Sequence, residues 1–224
     1  MPTTTELIAY LSQFVMPQRL QRIVEISQLR TRHITVVLEN LYQAHNISAI
    51  LRTAECLGLQ DVHLIENSFE YQISEQVALG AQKWLTINRY NSKTENNTLH
   101  CIEQLKKKGY RILATLPHEQ ETTLENIDIS QPLAFVFGTE LDGLTSTAIE
   151  NADGFVKIPM YGFTESYNVS VSAALILKFI NDRLRQSDLD YLLPENQLHE
   201  LQLQWLKACI RNADKVVERY VSGK

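Results

Sequence analysis

Three short polar clusters carry the residue types in this chain that could do chemistry. Asn46 precedes a helical pattern that contains Arg52, a loop runs from Gly138 to Gly143, and Ser166 and Asn168 precede a long helical pattern. Glycines let a ligand approach the backbone closely, and helix starts leave N–H groups for side-chain caps or for a bound polar group. Each cluster could therefore hold a polar ligand.

Each cluster also has an ordinary structural explanation. Asn46 is predicted to cap its helix, and Arg52 could pair with a carboxylate as readily as with a phosphate. The glycine-bounded segment could be a plain loop, and Ser166 and Asn168 could be simple caps. The sequence contains no Gly-x-Gly-x-x-Gly, Gly-Lys-Ser/Thr, Gly-x-Ser-x-Gly or His-Glu-x-x-His motif. Ordinary dinucleotide, P-loop, hydrolase and metal chemistry therefore lack their usual parts.

The elements that must position these clusters follow an α/β pattern. A β-branched run at Ile34–Glu39, a helix that ends at Gly58 and a strand at Asp61–Ile65 form a βαβ unit, which predicts a largely parallel sheet. Further strands are predicted at Trp84–Ile87, Arg111–Leu116, Leu133–Phe137 and Phe155–Ile158. The polar clusters then follow strand ends, where parallel α/β sheets bind their ligands.

Helical segments flank this region on both sides. Thr4–Leu29 has apolar residues at helical spacing and is broken at Pro17, and a single helix is predicted from Gln197 to Val221. The domain organisation predicted from these patterns is an N-terminal helical extension at 1–32, an α/β domain at 33–186 and a C-terminal helical extension at 187–224.

The composition is that of a globular protein. Its 224 residues are 44% hydrophobic and 21% charged, with a formal net charge of −5. No apolar run reaches the roughly 20 residues needed to span a bilayer, and the polar N-terminus leads us to expect a cytoplasmic protein. Cys56, Cys101 and Cys209 lie far apart and are expected to be reduced, buried thiols.

A small basic patch interrupts the acidic composition. Arg19, Arg22, Arg30 and Arg32 lie close together with only Glu25 opposing them. Arg19 and Arg22 share a helix face, which could be a solvated surface or a contact with RNA phosphates.

Taken together, the three clusters resemble the three motifs of the SPOUT methyltransferases. The matching residues are Asn46-x-x-Ala49-x-x-Arg52-Thr53-Ala54, then Phe137-Gly138-x-Glu140-x-x-Gly143, then Ile158-Pro159-Met160-x-Gly162 with Ser166-x-Asn168-Val169-Ser170-Val171. Their order and spacing look most like the TrmH branch, the tRNA guanosine 2′-O-methyltransferases. The resemblance covers about Arg19 to Arg185.

The resemblance implies a fold, a cofactor and an assembly. The fold would be a mostly parallel sheet flanked by helices, with a deep C-terminal trefoil knot. The protein would be a homodimer that binds S-adenosylmethionine bent in the knot, and we expect neither a metal nor a membrane partner.

The resemblance also implies roles for individual residues. Arg52 matches the catalytic arginine and Asn46 the asparagine that supports it, while Glu140, Ser166 and Asn168 match polar residues around the reacting centre. The positions that match cofactor contacts are Thr115, Leu116, Gly138, Ile158, Met160 and Tyr167. Arg19, Arg22 and Arg30 fall where the branch keeps tRNA-contacting arginines.

The implied activity is 2′-O-methylation of a ribose in RNA, with a guanosine in the D-loop of tRNA as the expected target. The alternatives are an rRNA 2′-O-methyltransferase and a non-catalytic RNA-binding protein. The chain departs from the branch at Gln43-Ala44, where Lys-Pro is frequent, and at Glu165, where Gln is frequent. These departures concern the choice of RNA and leave methyl transfer as the expected reaction.

Overall fold

The computed structural model describes residues 2–116 and 123–223. In chain order the helices are α1 (Thr4–Ser12), α2 (Pro17–Ser27), α3 (Ala44–Cys56), α4 (Glu75–Ala78), α5 (Asn97–Lys107), α6 (Ser146–Glu150), α7 (Val169–Arg185), α8 (Glu195–Cys209) and α9 (Ala213–Ser222). The strands are β1 (Ile34–Glu39), β2 (Asp61–Ile65), β3 (Thr86–Tyr90), β4 (Arg111–Thr115), β5 (Leu133–Phe137) and β6 (Gly154–Val156). Short 3₁₀ turns occupy Ala81–Lys83 and Leu124–Asn126.

The chain divides into two compact units. Arg32–Tyr191 is the larger unit, and the N-terminal segment through Thr31 forms the smaller one together with the C-terminal segment from Leu192. In the smaller unit, α1 packs on α8 and α9, and α2 packs on α8. No helix in the described parts of the chain is long and apolar enough to cross a membrane.

The larger unit contains one six-stranded sheet in the order β3-β2-β1-β5-β4-β6, and all its pairings are parallel. The predicted α/β class with a mostly parallel sheet is confirmed. Every residue of β1, β2 and β5 is buried, as expected for strands covered by helices on both faces. The strand order reverses between β1 and β5, and the carboxyl ends of these two strands are therefore the expected ligand-binding edge.

The sheet separates two apolar cores. One core joins α3 and α7 to one face through residues such as Leu51, Leu38 and Leu177. The other joins α5 and α6 to the opposite face through residues such as Val37 and Ile102. Packing on both faces fixes the register of the strands, and it therefore fixes the positions of the loops that follow them.

Four expectations about local structure are wrong. Asn46 does not cap α3, because the helix begins at Ala44 and Gln43 occupies the cap position. The third strand is Thr86–Tyr90, two residues beyond its predicted start. The last helix is interrupted because Asn212 adopts a left-handed conformation with φ 56°. Of the three thiols, only Cys101 is buried.

Candidate active site

Three polar side chains from separate chain segments form one hydrogen-bonded cluster. Asn46 Nδ2 donates to Glu140 Oε1 at 2.8 Å, and Asn168 Nδ2 donates to the same oxygen at 2.8 Å. Asn168 Nδ2 also lies 3.1 Å from Asn46 Oδ1. One carboxylate oxygen therefore accepts from two amides, and the cluster joins one residue from each of the three sequence motifs.

The positions of these residues follow from the fold. Asn46 lies in the first turn of α3, directly after β1, and Glu140 follows β5, the strand that pairs with β1. Asn168 caps α7: its Oδ1 accepts from the Ser170 amide at 2.9 Å and from the Ser170 hydroxyl at 2.6 Å. Because its carbonyl oxygen is used as a cap, its NH₂ group is left to bind Asn46 and Glu140. Capping and cluster formation therefore use different atoms of the same side chain.

The loop that carries Glu140 is closed by its own backbone. Thr139 N donates to Gly143 O at 3.0 Å, and Gly143 N donates back to Thr139 O at 3.1 Å. A Cβ atom on Gly138 would lie 2.3 Å from Gly143 O and 2.6 Å from Leu144 N, which no side chain tolerates. Gly143 has φ +69°, a conformation that favours glycine. Both glycines are therefore required by this loop.

A cavity of about 460 Å³ lies beside the cluster at the carboxyl ends of β4, β5 and β6. All six positions expected to contact a cofactor line it, namely Thr115, Leu116, Gly138, Ile158, Met160 and Tyr167. Glu140 and Ser166 also line this cavity. Its size is within the range of small-molecule sites in proteins.

The cavity combines apolar walls with carboxylates. Leu116, Ile158 and Ile176 contribute apolar surface, while Asp142 and Glu165 join Glu140 in the lining. Lys157 is the one cationic residue among the described lining residues. Such a site suits a ligand that combines a flat, apolar group with positive charge. The described residues contain no group of His, Cys, Asp and Glu arranged to hold a metal ion.

Arg52 lies away from this cavity. It is exposed on α3 and lines a groove whose opposite wall comes from Ala174, Leu175 and Lys178 of α7. Asn46 bonds to Gln43, Glu140 and Asn168, and so its side chain does not hold Arg52 as expected. The helix α7 therefore separates the cavity from the groove that Arg52 lines. Ser172 and Ile176 face the cavity, and Leu175 faces the groove.

The three arginines of the predicted RNA contact differ in exposure. Arg19 and Arg22 are exposed on α2, and Arg22 lies 3.7 Å from Glu25 in an exposed ion pair. Arg30 is only 1% exposed, and its guanidinium lies 5.1 Å from the ring centroid of Trp205. The expectation that Arg30 contacts RNA is wrong for this conformation, because a buried guanidinium cannot reach a phosphate.

Two residues that were not predicted as site residues, Glu39 and Gln43, support the site. Buried Glu39, at the end of β1, accepts from the Thr145 amide at 2.9 Å and from the Thr98 hydroxyl at 2.6 Å, and it thereby anchors the segment that follows the Glu140 loop. Gln43 accepts from Asn46 Nδ2 at 2.7 Å. A carboxylate at the end of a largely apolar, fully buried strand is the signal that could have identified Glu39, since buried carboxylates need partners.

His63 and Cys101 are two of the buried titratable groups whose pKa values are displaced. Burial lowers the pKa of His63 to about 3, with a smaller contribution from Lys108. Burial raises the pKa of the Cys101 thiol to about 12, partly offset by a hydrogen bond with Tyr90. Desolvation disfavours the charged form of each group, and both side chains are therefore neutral at pH 7.

Comparison with known proteins finds similarity to RNA methylases, both in sequence and in fold. The model of the SpoU rRNA Methylase family matches residues 33–178. The tRNA (guanosine(18)-2′-O)-methyltransferase of Borreliella burgdorferi is 41% identical over 92% of each chain. The crystal structure of the Aquifex aeolicus TrmH/SpoU tRNA modifying enzyme superposes with a TM-score of 0.77 at 27% identity, over 87% of this chain and 98% of that one.

A third comparison is with a methyltransferase that was solved with its cofactor bound. The SpoU methyltransferase AviRb from Streptomyces viridochromogenes, solved in complex with AdoMet, has a TM-score of 0.58 at 21% identity and covers 71% of this chain and 62% of that one. At this identity the likeness extends to the fold alone.

Proposed function

Because the chain belongs to the SpoU rRNA methylase family, we propose that it transfers a methyl group from S-adenosylmethionine to the 2′-hydroxyl of a guanosine in the D-loop of tRNA. The observation that carries this proposal is the Asn46–Glu140–Asn168 cluster beside a cavity lined by every expected cofactor position. The relative in Borreliella burgdorferi supports guanosine in tRNA over rRNA as the substrate.

The residues of the cavity fit S-adenosylmethionine. The apolar walls suit its adenine ring, and the carboxylates of Glu140, Asp142 and Glu165 suit its positive charge. When bound, the cofactor supplies an electrophilic methyl group on a sulfonium, and no metal is needed. The protein must then align the ribose hydroxyl with that methyl and assist the loss of the hydroxyl proton.

The proposed residue roles follow from their positions. Glu140 and Asn168 fix the loop and the helix start that border the cavity, and Ser166 lies at the reacting centre. Arg52 binds the phosphate next to the target ribose, because a guanidinium is a permanent cation and a poor base. Its guanidinium orients the nucleotide and favours the deprotonated hydroxyl. Arg19 and Arg22, on α2 of the smaller unit, bind other phosphates of the tRNA.

The proposal includes a homodimer that uses the groove between α3 and α7. Val171 and Leu175 are each 44% exposed on α7, and Leu175 lines the groove together with Arg52. A second copy would cover this apolar surface. Because Arg52 lies outside the cavity of its own chain, we place its guanidinium at the cavity of the second copy.

The proposal also includes the deep trefoil knot. Its crossing segment is the connection from β6 to α7, which includes Ile158, Met160 and Tyr167. Residues at both ends of this connection line the same cavity as Leu116, which follows β4, and the loop after β5, which supports a chain threaded around one site.

One experiment tests the activity. Purified protein is incubated with methyl-labelled S-adenosylmethionine and unmodified tRNA, and the RNA is digested and analysed by mass spectrometry. We expect 2′-O-methylguanosine at one D-loop position. Methylation of rRNA and not of tRNA would establish the rRNA alternative, and binding of either RNA without methyl transfer would establish a non-catalytic RNA-binding protein.

A further inference from the structure

Two aromatic rings project into solvent from the connection that lines the cavity. Tyr161 has a relative exposure of 98% and Phe163 one of 107%, and these are the two most exposed large hydrophobic residues in the described chain. Scattered single apolar residues are normal on protein surfaces. Here, however, two aromatic rings lie two positions apart in one short loop.

The loop places these rings at the border of the cavity. Met160 precedes Tyr161 and lines the cavity, and Glu165 and Ser166 line it again just after Phe163. Leu141, 83% exposed on the Glu140 loop, adds apolar surface to the same cavity. The segment that carries the rings is therefore flanked on both sides by residues of the proposed site.

We infer that Tyr161 and Phe163 form a stacking surface for the nucleobase of the nucleotide that is methylated, an inference that rests on the proposed function. A ribose hydroxyl can enter a cavity only if its nucleotide leaves the regular stack of the RNA. The unstacked base then needs a new apolar partner, and aromatic side chains provide one. Two rings at the border of the cavity supply such a partner where the base must lie.

The size of this patch favours a nucleobase over a protein partner. Protein interfaces bury on the order of 800 Å² on each side, far more than two side chains provide. The proposed surface for a second copy lies in the groove between α3 and α7, whose described lining does not include Tyr161 or Phe163. Neither ring is therefore part of the groove proposed for the second copy, and the RNA is the occupant that we assign to them.

The test compares leucine and aromatic variants at both positions. Phe163→Leu and Tyr161→Leu keep apolar bulk but remove the flat ring, whereas Phe163→Trp and Tyr161→Phe keep it. We expect each leucine variant to raise the KM for tRNA about ten-fold, while the aromatic variants stay within about two-fold of the wild type. The Kd for S-adenosylmethionine, measured by calorimetry, and the molar mass from light scattering should not change.

Several results would overturn the inference. An unchanged KM in both leucine variants would show that the rings do not bind the base. A weakened Kd for S-adenosylmethionine would assign the rings to the cofactor, and a halved molar mass would assign them to the contact between copies. An active wild-type protein with fully active leucine variants would reject this inference alone, whereas an inactive wild-type protein would reject the proposed function and this inference with it.

Discussion

Asn46 Nδ2 lies 2.8 Å from Glu140 Oε1 although the two residues are 94 positions apart in the chain. This bond connects the helix after β1 with the loop after β5, the two segments that flank the reversal in strand order. An amide is suited to this position because its NH₂ group donates to the carboxylate while its oxygen accepts from Asn168.

Replacing that amide with an acid should make the cluster sensitive to pH. In the Asn46→Asp variant two carboxylates face each other, so the pKa of the pair rises and one proton is shared when the pH falls below it. We expect a lower melting temperature than that of the wild type at pH 8, and a smaller difference at pH 5. Melting curves at both pH values check this, and a difference that does not depend on pH would contradict it. Asn46→Ala is the control that lacks a titratable group.

Gly138→Ala should greatly weaken cofactor binding. Its Cβ would lie 2.3 Å from Gly143 O, and the closed loop must therefore open or shift beside the cavity. Calorimetric titration with S-adenosylmethionine should show a Kd raised by roughly 100-fold or more, equivalent to the several kcal/mol that backbone strain can cost. Gly162→Ala is the matched control, because the nearest atom to its Cβ would be 4.0 Å away. Equal binding by the two variants would refute the role of the loop.

Arg52→Ala should remove methyl transfer and retain cofactor binding, because Arg52 does not line the cavity. We expect the rate to fall roughly 100-fold or more, with less loss in Arg52→Lys, which keeps the charge. Initial rates and calorimetry measure the two quantities. Retained activity in Arg52→Ala would reject the assignment.

Mixed dimers test whether Arg52 acts on the second copy. Arg52→Ala and Gly138→Ala chains, each inactive alone, are coexpressed with different tags and the mixed dimer is purified. The Arg52→Ala chain keeps an intact cavity, and the Gly138→Ala chain keeps its arginine. If that arginine acts across the interface, it completes the cavity of the Arg52→Ala chain, and one active site is restored. An inactive mixed dimer would show that each chain uses its own Arg52.

Arg19 and Arg22 should contribute to the salt dependence of tRNA binding, whereas Arg30 should not. Each lost phosphate contact lowers the slope of log K against log[salt] by about one, and we expect Arg19→Ala with Arg22→Ala to lower it by about two. Arg30→Ala should instead cost about 2 kcal/mol of folding stability, because Arg30 packs on Trp205 in the smaller unit. Filter binding across a salt series and urea denaturation measure these effects. An unchanged slope in the double variant would return Arg19 and Arg22 to an ordinary solvated helix face.

Buried His63 should destabilise the protein as the pH falls. Its pKa is about 3 in the folded state and 6.5 in its unperturbed state, and the unfolded chain therefore binds the extra proton between these values. The free energy of unfolding should fall by up to about 1.4 kcal/mol per pH unit as the pH drops below 6.5. Urea denaturation from pH 7 to 4.5 should show a shallower dependence in His63→Gln. His45→Gln, which changes an exposed histidine, should behave as the wild type.

The sequence by itself determined the α/β class and the local backbone requirements of the three motifs. An apolar run such as Leu133–Phe137 is stable only as a strand inside a sheet that is covered on both faces. The need for glycine at position 138 and for asparagine at position 168 comes from the local backbone. Such local constraints can be deduced from residue type and spacing.

Only the tertiary structure decided how those residues meet. The pairing of β1 with β5 brings Asn46 to Glu140, and the packing of α7 puts Arg52 in a groove apart from the cavity. The contact with Trp205 buries Arg30, which sequence periodicity cannot distinguish from an exposed arginine. These outcomes depend on contacts between residues that are distant in the chain, and no local pattern encodes the distance between two side chains.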